Sequence, residues 1–335
     1  MTRSSLAAAA LLFCLPLTGM AQKKDKRSGY DRSARATVLH DAVVYVAPDE
    51  NGGKLTEVTP GHEVVIVARS GPWVKVFANT DTPDDADPDA NADLIETEQA
   101  SPASGWIKDK GVVTLNTPAG DVVMFGAAAN LEAEAAEPHA PKNAAASAHL
   151  LYRRVYQYFP DSKLAADAAW RSADIRWQID RADIRTLPSA KEQEAYLRPQ
   201  IFEGEMKRVM KLYPRTKFAA LAAYSLIDNK LCGDWQGLPK CPEMETTLYL
   251  KYADQYPDSP KAAEAEYNAV YRQGVLVSMY QVNDDRKRSD AAVKRTVQLA
   301  DEMKERFPDS DYSARAASVA YRVRQGISIF GSDRD

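Results

Sequence analysis

Four segments of the 335-residue chain share one pattern: YFPDSKLAADAAW ending at Trp170, LYPRTKFAALAAY at Tyr224, QYPDSPKAAEAEY at Tyr267 and RFPDSDYSARAAS at Ser318. Each places an aromatic before a proline, a hydroxyl two residues later, then spaced small residues. Proline cannot continue a helix and drives its predecessor out of helical torsions, so Phe159, Tyr213, Tyr256 and Phe307 should each close a helix. Ser162, Thr216, Ser259 and Ser310 are placed to cap the next helix, with Pro260 suited to a first helical position. Five and eight residues after each proline stand Ala165 and Ala168, Ala219 and Ala222, Ala262 and Ala265, and Ser313 and Ala316. Residues three apart share a helix face, so these small side chains admit a closely packed partner. Trp170, Tyr224 and Tyr267 then supply a large apolar body. The motif predicts the corner of a helical hairpin, used four times.

The intervals between the prolines are 54, 43 and 51 residues, with the extra length placed in RTLPSAKEQ, CGDWQGLPKCPE and QVNDDRKRSD. Through its Pro-x-Ser-x-x-Ala-x-x-Ala corners, the segment from about Ala144 to Arg324 resembles the tetratricopeptide-like repeats of envelope proteins. The nearest types are outer-membrane assembly lipoproteins of the BamD type and Tol–Pal accessory proteins. The resemblance implies a helical array at 142–327 that offers a concave protein-binding face. Candidate contacts on the first helix of each pair are Tyr152, Arg153, Tyr156, Met206, Arg208, Tyr249 and Tyr252.

The N-terminal half reads differently. ATVLHDAVVYV, HEVVIVA, PWVKVFA and GWIKDKGVV have a period near two and are punctuated by DENGGK and TPGH, which predicts some five short strands. Short strands in so small a segment suggest a closed or nearly closed barrel, and the order of YVAP, PGHEV, GPWVKV and GWI resembles the bacterial SH3-like domain, expected here as a small all-β barrel at 36–118. That resemblance implies peptide or peptidoglycan binding in a groove at Tyr45, Trp73 and Trp106. The alternative is that the tryptophans fill a small core. An acidic insertion at 79–104 holds eight acids and no base between Asp81 and Glu98. Within it Asp85, Asp87, Asp89, Asn91, Asp93 and Glu96 follow calcium-loop spacing, but Ala90 stands where the sharp turn needs glycine. A solvated acidic loop is therefore the expectation, and no metal or other cofactor is assigned. The segment 119–141 is expected to be a helical linker.

Arg3, the apolar LAAAALLFCLPL and small residues at Gly19 and Ala21 predict a signal peptide at 1–21. Phe13 before Cys14 disfavours a lipoprotein signal. A basic tail at 22–35 follows, and a short tail closes the chain at 328–335. Export leaves Cys232 and Cys241, an even pair expected to form a disulfide, with buried free thiols as the alternative. Trp235 between them marks a recognition tip or a structural clasp. Apart from the start, no apolar run approaches membrane-spanning length. The net charge of −4 and the absence of a basic face argue against nucleic acid. No phosphate loop, zinc-protease helix or nucleophile elbow occurs. The sequence thus predicts a periplasmic or secreted, non-catalytic adaptor for envelope proteins or peptides. Its rivals are a peptidoglycan-binding protein with the repeats as spacer, and a cell-wall enzyme.

Overall fold

The computed structural model describes residues 34–81 and 103–330. The signal peptide, nearly all of the basic tail, the end of the C-terminal tail and the calcium-type pattern lie outside the described residues. The rest is a β region followed by a helical array, joined in one compact unit.

Seven antiparallel strands, rather than five, form the β region: β1 (Arg35–Val38), β2 (Ala42–Tyr45), β3 (Lys54–Val58), β4 (Glu63–Ser70), β5 (Trp73–Ala78), β6 (Ala103–Lys108) and β7 (Val112–Thr114). Their order in the sheet is β3-β2-β6-β5-β4-β1-β7. Alternation places Val44, Val74, Val76, Ala78 and Ile107 on one face, where they form the core with Val38, Val58 and Val64. The core is built from valine, alanine and Ile107, and neither Trp73 nor Trp106 belongs to it.

The helices are α1 (Gly120–Ala135), α2 (Ala144–Tyr158), α3 (Ala165–Arg185), α4 (Gly204–Leu212), α5 (Lys217–Ser225), α6 (Lys240–Gln255), α7 (Ala262–Val282), α8 (Arg286–Arg306) and α9 (Asp311–Arg324). The four corners join α2 to α3, α4 to α5, α6 to α7 and α8 to α9. Phe159, Tyr213, Tyr256 and Phe307 share one non-helical conformation, with φ between −126° and −131° and ψ between 54° and 62°. This is the effect proline exerts on its predecessor. All eight small positions are buried, none more than 4% exposed.

The hydroxyls divide into two classes. Thr216 and Ser310 are true N-caps, accepting from the backbone N–H of Ala219 and Tyr312. At the other two corners the helix starts later, at Ala165 and Ala262. There Ser162 and Ser259 accept from Leu164 N and Lys261 N, each at 3.1 Å, inside the connecting turn. Pro260 also lies in that turn and not at a first helical position. The extra length after α7 is helix rather than loop: α7 and α8 run 21 residues each around a short turn capped by Asp285.

The segment expected to be a linker belongs to the array. Met124 and Ala128 of α1 share a core with Leu151, Tyr152 and Val155 of α2, and Val113 of β7 enters the same core. The β region is seated on α2. Gly61, at φ +89°, approaches so closely that a Cβ would lie 2.5 Å from Leu150 Cβ. Buried Arg154 donates to Gly61 O at 3.0 Å and pairs with Asp81, while Tyr158 donates to Ala36 O at 3.1 Å.

Candidate binding grooves

On the β region, Tyr45, Trp73 and Trp106 come together on the face opposite the valine core. Tyr45 stands opposite Trp106, Trp106 opposite Lys75, and Trp73 opposite Lys108. The Tyr45 and Trp73 rings meet edge to face at 5.6 Å. Trp73 is buried by these neighbours, and Tyr45 and Trp106 are half-buried. The alternation of PWVKVFA carried this signal: placing Val74 and Val76 inward sends Trp73 and Lys75 to the other side.

The array corrects the first-helix expectation. Tyr152, Tyr156, Met206, Tyr249 and Tyr252 are buried, as first helices fill the spaces between hairpins. Arg153 and Arg208 are partly accessible, and burial pulls the Arg153 guanidinium below its usual range despite the Glu205 carboxylate nearby. An opening in the array is instead walled mainly by second helices. A groove of about 740 Å³ runs across α3, α5 and the start of α7, with Trp170, Trp177, Tyr224 and Asp174 in its wall. Of the first-helix candidates, only Tyr249 reaches it. Burial pushes the Tyr249 hydroxyl up to about 12, so it stays a neutral donor.

This groove continues into a second hollow of about 580 Å³ beneath the α3–α4 connection; Arg181, Arg185, Asp228 and Leu231 line both. Both are within the range of ligand-binding clefts. The signal lay in α3: Trp170, Asp174, Trp177, Arg181 and Arg185 fall at helical spacing along one stripe. A reading centred on first helices passed over it.

Cys232 and Cys241 form a disulfide with Cα atoms 6.0 Å apart. Their loop is held by Glu245, a buried carboxylate on α6. It accepts from Cys232 N at 2.9 Å, Trp235 Nε1 at 3.1 Å and Arg272 Nε at 2.6 Å. Arg272 lies over the rings of Tyr249 and Trp235, and Phe330 near the C-terminus reaches Trp235 at 5.5 Å. Trp235 is thus tied into a clasp. Gly233 N and Asp234 N extend it by donating to Glu192 O and Lys191 O, each at 3.2 Å, which fixes one wall of the second hollow.

Among the described residues no helix is long and apolar enough to cross a membrane, and no group of three or more His, Cys, Asp or Glu is placed to hold a metal. No family model matches the chain, and no curated protein matches it in sequence.

Proposed function

We propose that the chain is an exported, non-catalytic adaptor of the cell envelope. In this reading the helical array is tetratricopeptide-like and holds a protein or peptide partner, and the β region is an SH3-like module carrying a second binding face. The observation that carries it is the groove across α3, α5 and α7, open to solvent and walled by aromatic and charged side chains. Tyr, Trp and Arg are the residues that most often anchor protein contacts. The disulfide suits an oxidising compartment, in keeping with a periplasmic or secreted location. The Arg154 and Tyr158 contacts hold the β region against α2, so two modest sites on one chain gain avidity from a fixed separation rather than from a flexible tether.

A second reading, peptidoglycan binding with the array as spacer, draws on the outward placement of Tyr45, Trp73 and Trp106 beside Lys75 and Lys108. Crosslinking in intact cells, followed by mass spectrometry, separates the two. The adaptor reading expects partner proteins that disappear with Tyr224→Ala and persist with Trp106→Ala. Retention on purified sacculi that is lost with Trp106→Ala and unaffected by Tyr224→Ala would replace it with wall binding.

A further inference from the structure

The groove has two ends of opposite character. At the aromatic end, Asp174 is half-buried between Trp170 and Trp177 on the α3 stripe, and its hydrogen bond comes from the neutral Gln178 at 2.7 Å. The nearby cation, Lys261, is engaged by Glu264 at 2.7 Å, and Glu132 adds further negative potential. Burial lifts the Asp174 carboxyl above its usual range, the response of an acid short of cationic partners.

At the other end the balance reverses. Arg185 and Lys191 are exposed, Arg198 spends one guanidinium nitrogen on the Leu231 carbonyl, and Asp228 is taken by Arg181 at 3.3 Å. Asp234 is the remaining acid there, and its carboxylate accepts from Gln236 N. Two buried donors along this path have no acceptor among the described residues: Trp177 Nε1, on a side chain 3% exposed, and Arg198 Nε. A buried donor without an acceptor is costly, so the groove wall carries polar groups that its own packing leaves unsatisfied.

Resting on the reading of the array as a peptide-binding surface, we infer that the groove takes an extended polypeptide segment of bipolar charge: a Lys or Arg side chain against Asp174, and acidic groups against Arg185, Lys191 and Arg198. Eleven residues of helix separate Asp174 from Arg185, about 16 Å at 1.5 Å per residue. An extended chain covers that span in about five residues at 3.3 Å each. The recognised segment therefore carries its cation and its first acid about five positions apart, with apolar residues between them along Trp177 and Tyr224 and one beyond the cation for Trp170.

The test is fluorescence anisotropy on the full, oxidised chain with labelled ten-residue peptides. One bears Lys and Glu-Asp five positions apart across a Leu/Val spacer, prepared in both chain directions. The comparators are all-acidic, all-basic, and neutral with adjacent charges. The expected result is binding of the bipolar peptide in one direction at least tenfold tighter than any comparator. Asp174→Asn and Arg185→Ala/Lys191→Ala should each weaken it about five- to tenfold, and Asp174→Lys should shift preference to the acidic peptide. These side chains are exposed or half-buried, so circular dichroism should match the parent. Equal binding of all peptides, lost with Tyr224→Ala but indifferent to the charge variants, would overturn the bipolar assignment and keep the groove. Binding indifferent to Tyr224→Ala as well, or absent, would remove both.

Discussion

Glu245 in the clasp and Arg154 beneath the β region pose the same electrostatic problem, an ionised group buried away from water, and the two regions solve it differently. The clasp surrounds its carboxylate with three donors lying within 27 residues of it in sequence, and a disulfide closes the same loop. Across the junction Arg154 relies on partners 73 and 93 residues away, Asp81 and Gly61, beside one local acceptor, Gln157 at 2.7 Å, and no disulfide closes it. The clasp can form while the rest of the array is still assembling. The junction can form only when two finished surfaces meet.

The largest effect should come from Glu245→Ala. It strands Arg272, the Trp235 indole and the Cys232 amide together, and removing one partner of a buried ion pair costs about 3–5 kcal/mol. Calorimetry should show the loss with the disulfide intact. Removing the bridge with Cys232→Ser/Cys241→Ser should cost less, about 2–3 kcal/mol, since the Glu245 bonds still hold the loop. If the disulfide variant proves the less stable of the two, the clasp is covalent at heart and the comparison fails.

Arg154→Ala should cost about 1.5–3 kcal/mol, the range for hydrogen bonds to charged groups. Its partners remain better covered than those of Glu245: Asp81 keeps His62 at 2.8 Å and the Glu63 amide at 3.1 Å, and Glu63 keeps Arg35 and Tyr158. The junction should also respond to acid. Burial alone would raise the Asp81 carboxyl, but the His62 hydrogen bond and the Arg154 charge outweigh it and hold the group below its ordinary 3.8. A lowered native value means the stabilisation is complete above the unfolded-state value, near 4, and is lost as pH falls through the native one. Protection from hydrogen exchange around Arg154 and Gly61 should fall below pH 4, and Asp81→Asn should abolish that pH dependence.

What was legible in the sequence follows from which rules are local. Proline geometry and small-residue spacing act within a dozen residues, so the four corners could be placed from the chain alone. The groove depends on how successive hairpins rotate against one another, which no single hairpin encodes. Hence Tyr152 and Met206 were expected at the surface and are buried, and the stripe from Trp170 to Arg185 carries the opening. The inward valines of β5 implied the outward Trp73, but barrel geometry had invited a core role. Arg154 in RRVYQY has no neighbour in sequence that announces Gly61. The run QVNDDRKRSD is polar enough for a loop, yet Asp285 caps a helix within it, and only the buried Ser289 and Ala292 hint at the continuation.

The smallest effects test the two classes of corner. Thr216→Ala removes a true N-cap and should cost about 1 kcal/mol, with faster hydrogen exchange confined to the first turn of α5. Ser162 looks equivalent in sequence but does other work: besides accepting from Leu164 N, it donates to Asp121 of α1 at 2.6 Å. That bond holds the Asp121 carboxyl below its ordinary value. Ser162→Ala should therefore cost a similar 0.5–1.5 kcal/mol, roughly that of one net hydrogen bond, yet release the first turn of α1, some forty residues upstream. Faster exchange limited to the start of α3 would make Ser162 an ordinary cap and return all four corners to one class. Faster exchange at α1 would show the same hydroxyl serving as a cap where the helix starts early and as a strut between helices where it starts late.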